Sequence, residues 1–101
     1  MSVIKITNEN FENEVLNHGS KVLVDFYADW CGPCRMLSPT IDEIAEERSD
    51  IKVCKINVDT SPEIASSLRI VSIPTVIIFE NGEIKSRFSG VRDKEDILEL
   101  L

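Results

Sequence analysis

The run Lys21-Val22-Leu23-Val24-Asp25-Phe26-Tyr27-Ala28 constrains this chain most. It is apolar at both parities: Val22, Val24 and Phe26 at one, Leu23 and Tyr27 at the other. Side chains alternate across a strand, so a strand of this kind is covered on both faces. It reads as a central strand of a parallel or mixed sheet with helices above and below. Asp25 interrupts that apolar pattern. Acids are rarely buried without a partner, and burial raises a carboxyl pKa until the group can exchange a proton near neutral pH. The competing reading, a solvated aspartate at a strand end, fits poorly with the apolar residues on either side.

Other elements follow from periodicity and punctuation. Val3-Ile4-Lys5-Ile6 reads as a short strand, and Thr7-Asn8 as a cap for a helix over Glu9 to Leu16, closed by Gly19 in left-handed backbone. A second helix, from near Cys34 to about Arg48, would bury Met36, Leu37, Ile41, Ile44 and Ala45 and kink at Pro39. Ile51 to Val58 reads as a strand, and Ser61-Pro62 opens a short helix to about Leu68. Thr75 to Phe79 and Glu83 to Phe88 form an antiparallel pair around Asn81-Gly82. A last helix over Asp93 to Leu101 turns Ile97, Leu98 and Leu101 inward. The order is βαβαβαββα, an α/β class with right-handed crossovers between parallel strands. A chain of 101 residues without linker, repeat or low-complexity tract reads as one domain.

Directly after the central strand comes Trp30-Cys31-Gly32-Pro33-Cys34, and a helix follows. Strand, Cys-x-x-Cys, helix is a redox context. A helix start offers unpaired N–H groups and the positive end of the dipole, which lowers the pKa of a thiol placed there, here Cys31. Cys34 lies one turn on, within reach of a disulfide formed on Cys31. A zinc site would need four ligands. Cys54 and His18 are the remaining candidates, and all four would have to converge from separate elements.

Charge narrows the partners. Acids outnumber bases 18 to 11, for a net charge of −7, and Lys and Arg are not clustered. This argues against nucleic acid and against anionic membranes. No stretch approaches the roughly 18 apolar residues of a membrane span, and Met1 to Lys5 lacks a signal-peptide core. The chain reads as cytoplasmic, and Met1 weighs against a lost targeting segment. Three cysteines do not make a disulfide scaffold.

Trp30-Cys31-Gly32-Pro33-Cys34, Asp25 before it, Ile73-Pro74-Thr75 and Gly90 resemble the thioredoxin family, in its order and spacing, from about Asn8 to Leu101. The resemblance implies a thioredoxin fold, a central five-stranded mixed sheet flanked by four helices, as a single thioredoxin domain over 1–101. It implies a general protein-disulfide reductase. Cys31 attacks the target disulfide, and Cys34 resolves the mixed disulfide. Asp25 takes the proton from Cys34, directly or through a water. The Gly32-Pro33 spacer lacks the His of oxidising relatives and the Pro-Tyr of glutaredoxins, so a reducing couple is expected.

By the same resemblance Lys55 reaches toward Asp25 and helps tune the couple; its residue type alone fits an exposed lysine equally well. An X-Pro bond is usually trans. The resemblance implies a cis Ile73-Pro74 bond facing the active-site turn, which bares the Ile73 backbone to an extended substrate and shields the dithiol from metal ions. Trp30, Ile73, Pro74, Gly90 and Val91 would form a shallow apolar rim that binds substrate. A core tryptophan and a plain strand terminator are the alternatives for Trp30 and Gly90. Cys54 departs from the family pattern and reads as core filling, while His18 reads as a helix-end residue. Tyr27 stands where the family often has tryptophan, which leaves Trp30 as the only indole.

No bound cofactor or metal is expected. Electrons would come from a separate thioredoxin reductase, because the chain has no Gly-x-Gly-x-x-Gly. Partners are that reductase and many disulfide-containing target proteins, and the chain is expected to be a monomer. Rival readings are a non-catalytic interaction module and a metal or iron–sulfur scaffold.

Overall fold

The computed structural model describes residues 3–101. Its elements are β1 (Ile4–Ile6), α1 (Glu12–Leu16), β2 (Lys21–Tyr27), α2 (Gly32–Glu47), β3 (Lys52–Asn57), α3 (Pro62–Ser67), β4 (Thr75–Glu80), β5 (Glu83–Ser89) and α4 (Lys94–Leu98). The five-stranded sheet has the order β1-β3-β2-β4-β5. β3 pairs in parallel with β1 and β2, while β4 runs antiparallel to both β2 and β5. The mixed sheet and the βαβαβαββα order are those expected.

β2 lies at the centre, and its residues from Val22 to Phe26 are all buried. Val22, Val24 and Phe26 join Val15 of α1, Ile64 of α3, Cys54, Ile56, Ile77 and Phe79 in one core. Leu23 joins Leu37, Ile41, Ile44 and Ala45 of α2 and Ile97 of α4, with Val53, Val76, Ile78 and Phe88, in the other. The two parities of β2 thus feed two cores, one on each face.

Several boundaries differ from expectation. The first helix begins at Glu12 rather than Glu9; before it the chain makes a turn in which Asn10 and Phe11 N–H both donate to Thr7 O, tied down by side-chain bonds. Thr7 N–H donates to Asn10 Oδ1 at 2.8 Å, and Glu9 N–H to Thr7 Oγ1 at 3.3 Å. The short helix is widely wound: Asn17 N–H donates to Glu12 O at 2.8 Å, five residues back. That bond ends it, and Gly19 is not in left-handed backbone.

α2 starts two residues early, with Cys31 as its N-cap, and runs on through the exposed Pro39. Met36 is not in its buried face. It is 69% exposed, because the inward stripe runs Cys34, Leu37, Ile41, Ile44 and Ala45, and Met36 falls beside it. α4 ends at Leu98, where Leu100 and Leu101 N–H turn back to Ile97 and Leu98 carbonyls; Ile97 is buried, whereas Leu98 and Leu101 are half-buried.

At the β4–β5 hairpin, Asn81 (φ 54°) and Gly82 (φ 81°) give the turn whose twist suits the strands. A Cβ on Gly82 would lie 2.6 Å from Leu16 O, so glycine also makes room for α1.

Candidate active site

The site lies where β2 hands over to α2. Cys31 caps α2 in extended backbone, and Cys34 N–H donates to Cys31 Sγ at 3.2 Å. Gly32 and Pro33 are the first two residues of the helix. With phi preset, Pro33 fits that turn and gives up only an N–H that the helix leaves unpaired. Cys31 and Cys34 are joined as a disulfide, their Cα atoms 5.2 Å apart. Both sulfur-bearing residues are almost covered and pack with Ala28, beside Tyr27, Val58 and Ile73.

Ile73-Pro74 is cis, as the resemblance implies. The Ile73 carbonyl oxygen lies 3.8 Å from Cys31 Sγ. Gly90, at φ 91°, donates its N–H to Pro74 O at 2.9 Å. A Cβ there would meet nothing, so backbone conformation rather than space calls for glycine. Trp30 is 68% exposed and Val91 is exposed, so Trp30 lies at the rim and not in the core. Trp30 Nε1 donates to Asp59 Oδ2 at 2.8 Å, which fixes the ring beside the dithiol. The structure therefore brings Trp30, Cys31, Ile73, Pro74 and Gly90 to one end of the sheet, with Val91 following Gly90.

Asp25 occupies the Leu23 face of β2, one pleat nearer the dithiol. It is 5% exposed, and its Oδ1 has no hydrogen-bond partner among the described residues. Burial pushes its carboxyl up to about 7; Lys55 opposes that rise and Asp42 adds to it. Lys55 stands opposite Asp25 in the β2–β3 register, half-buried, its ammonium 5.7 Å from the Tyr27 ring centroid. Asp25, Lys55, Tyr27, Ala28, Asp29, Cys34, Arg35 and Ser38 line one cavity of about 250 Å³. The acid and the inner cysteine thus face the same small space.

Three contacts of the site join residues whose meeting the sequence alone does not show, beginning with the Asp59 carboxylate that takes the Trp30 indole N–H. Asn57 is a buried polar residue whose Oδ1 takes the Asp59 N–H at 2.8 Å and so holds the Trp30 acceptor in place. Tyr27 forms the bed for Lys55. Their signal was weak, since each becomes meaningful only once β2 and β3 are neighbours. Cys54 is sealed in the Val22 face, and burial pushes its thiol up to about 12. His18 lies past α1, its Nε2 2.9 Å from Ser20 Oγ, away from the dithiol. Among the described residues no group of three His, Cys, Asp or Glu could hold a metal ion, and no helix is long and apolar enough to cross a membrane.

The family model described as Thioredoxin matches residues 2–101. The chain belongs to the thioredoxin family. It is 46% identical over 98 residues to a thioredoxin of Mycobacterium tuberculosis, covering 96% of this chain and 84% of that one. It is 50% identical over 95 residues to a thioredoxin of Rickettsia bellii, covering 93% and 90%. It is also similar to a thioredoxin of the alga Pyropia yezoensis, at 58% over 84 residues, covering 82% and 78%. As a member of the thioredoxin family, the chain is a protein-disulfide oxidoreductase that works by dithiol–disulfide exchange. Its redox group is its own Cys31–Cys34 pair.

Proposed function

We propose that this pair reduces disulfides in many proteins, with Cys31 as nucleophile, Cys34 as resolving thiol and Asp25 as the acceptor of the Cys34 proton. In the reduced form the Cys31 thiolate attacks one sulfur of a target disulfide. The Cys31–target bond forms as the target S–S bond breaks, and the other target sulfur leaves as a thiolate. Cys34 then gives its proton to Asp25 and attacks Cys31 Sγ. This releases the second target thiolate and leaves the Cys31–Cys34 disulfide. Two electrons pass to the target, whose sulfurs take up two protons.

The observation that carries the order is asymmetry. Cys31 Sγ lies beside Ile73 O and caps α2, whereas Cys34 shares a cavity with the unpaired Asp25. A helix N-terminus favours the Cys31 thiolate, and a carboxylate with a pKa near neutrality suits a base. Trp30, Ile73, Pro74, Gly90 and Val91 form the rim on which target backbone docks, while Gly32, Pro33 and Lys55 tune the couple. Reoxidised protein is reduced by a thioredoxin reductase in the cytoplasm, and residues 1–101 act as one monomeric domain.

Trapping tests the order. Reduced Cys34→Ser should accumulate a one-to-one mixed disulfide with a disulfide-bonded target protein, through Cys31. Reduced Cys31→Ser should not. A stable adduct through Cys34 in the Cys31→Ser variant would reverse the assignment.

A further inference from the structure

The strand order β3-β2-β4-β5 fixes the sequence of segments along the active-site end of the sheet. Asp59 follows β3, Trp30 and Cys31 follow β2, Ile73 and Pro74 precede β4, and Gly90 to Arg92 follow β5. β3 and β5 are three strand spacings apart, roughly 14 Å. Asp59 and Arg92 therefore lie on opposite sides of the dithiol. On the β3 side is the exposed carboxylate of Asp59, and Asp29, in the connection after β2, is exposed as well. The Asp59 carboxylate is held in place by the Trp30 indole. The nearby Arg35 Nη1 donates to the Asp29 carbonyl oxygen rather than to a carboxylate.

On the β5 side stands Arg92, exposed, its guanidinium carbon 4.5 Å from the Phe88 ring centroid. Two other arginines are engaged differently. Arg48 pairs with Asp50, and Arg87 donates to the carbonyls of Leu68 and Arg69. Among the described residues no carboxylate pairs with Arg92. A ring-stacked guanidinium keeps its donor edges free for a planar anion.

We propose that the Gly90-Val91-Arg92 turn reads charge, favouring target segments that carry an acidic residue on the β5 side of their disulfide and a basic or neutral one on the Trp30–Asp59 side. The proposal rests on the rim assigned above and names the target chemistry that rim prefers. The chain as a whole is acidic, with a net charge of −7. Complementary charges at an exposed rim act mainly on encounter and are screened by salt.

The test uses disulfide-bonded peptides of one sequence with Glu on one flank and Lys on the other, the reverse arrangement, and a neutral version. The wild-type chain should favour one polarity by roughly threefold to tenfold in kcat/KM, carried by KM and shrinking as salt is added. Arg92→Glu should reverse that ratio. Arg92→Gln should bring it near one, which separates charge from cover over Phe88. A polarity ratio that is near one in the wild type, or unmoved by both substitutions, would overturn the proposal. Failure of the wild type to reduce the neutral peptide would instead sink the underlying reductase roles, and the charge reading with them.

Discussion

Both faces of β2 are buried from Val22 to Phe26, and they are chemically unlike. The Val22–Val24–Phe26 face closes over α1 and α3 and holds one reactive group, the Cys54 thiol. That thiol is sealed in and pushed up to about 12, so it stays a protonated apolar filler. The Leu23 face also closes, over α2 and α4, but its end opens at Asp25 into the cavity shared with Cys34. The buried acid is pushed up to about 7 instead of being neutralised for good. Burial alone does not make a group functional. What separates the faces is a small polar opening toward a reacting atom.

The sharpest contrast is between cysteines. Cys31→Ser or Cys34→Ser should abolish multiple-turnover reduction of a protein disulfide, because each removes one sulfur of the couple. Cys54→Ala should leave turnover close to wild type in the same assay. A large loss of turnover in Cys54→Ala would erase the distinction between the faces.

Next comes the acid. Asp25→Ala should slow the resolving step by about 10²-fold or more at neutral pH, read as decay of the mixed disulfide in single turnover. In the wild type that rate should rise through about pH 7 as the carboxyl ionises, and the inflection should vanish in the variant.

The same group costs stability. Its folded pKa, about 7, exceeds its ordinary value of 3.8, so the folded state binds the extra proton between those limits. Asp25 therefore favours the folded state most at low pH, and that contribution is lost as pH rises from about 4 to about 7. Asp25→Ala should then be more stable than wild type at pH 8, by up to about 4 kcal/mol, with the gain gone below pH 4. Urea unfolding at both pH values reads the difference.

The smallest effect belongs to the sealed face. Below about pH 8, where the thiol is protonated in both folded and unfolded chains, Cys54→Ala should destabilise by about 1–2 kcal/mol, because it leaves a small cavity without altering charge. A penalty that changed between about pH 4 and about pH 8 would mean that the thiol is not shut off from solvent.

Much of this was legible in the chain. β2 announced its central place by apolar residues at both parities, and Asp25 stood out against them. Cys31 and Cys34 declared a helix start. The cis Ile73-Pro74 bond came from family resemblance, since ordinary X-Pro preference points to trans. Hidden features depend on contacts between distant segments. Met36 sits within one residue of the buried stripe, too close to resolve before the start of α2 is fixed. The turn before α1 is tied by the Thr7 and Asn10 side chains, contacts that the residue pattern does not announce. The Trp30–Asp59 bond joins residues 29 apart and exists only because β3 lies beside β2.

The most direct test is to titrate the Asp25 carboxyl by carbon-13 NMR in the oxidised protein, with Asp25→Asn to assign the signal. A midpoint near 7 is expected, well above the ordinary aspartate value of 3.8. A midpoint near 4 would mean that the carboxyl is solvated or paired, and the functional difference between the two faces of β2 would fall.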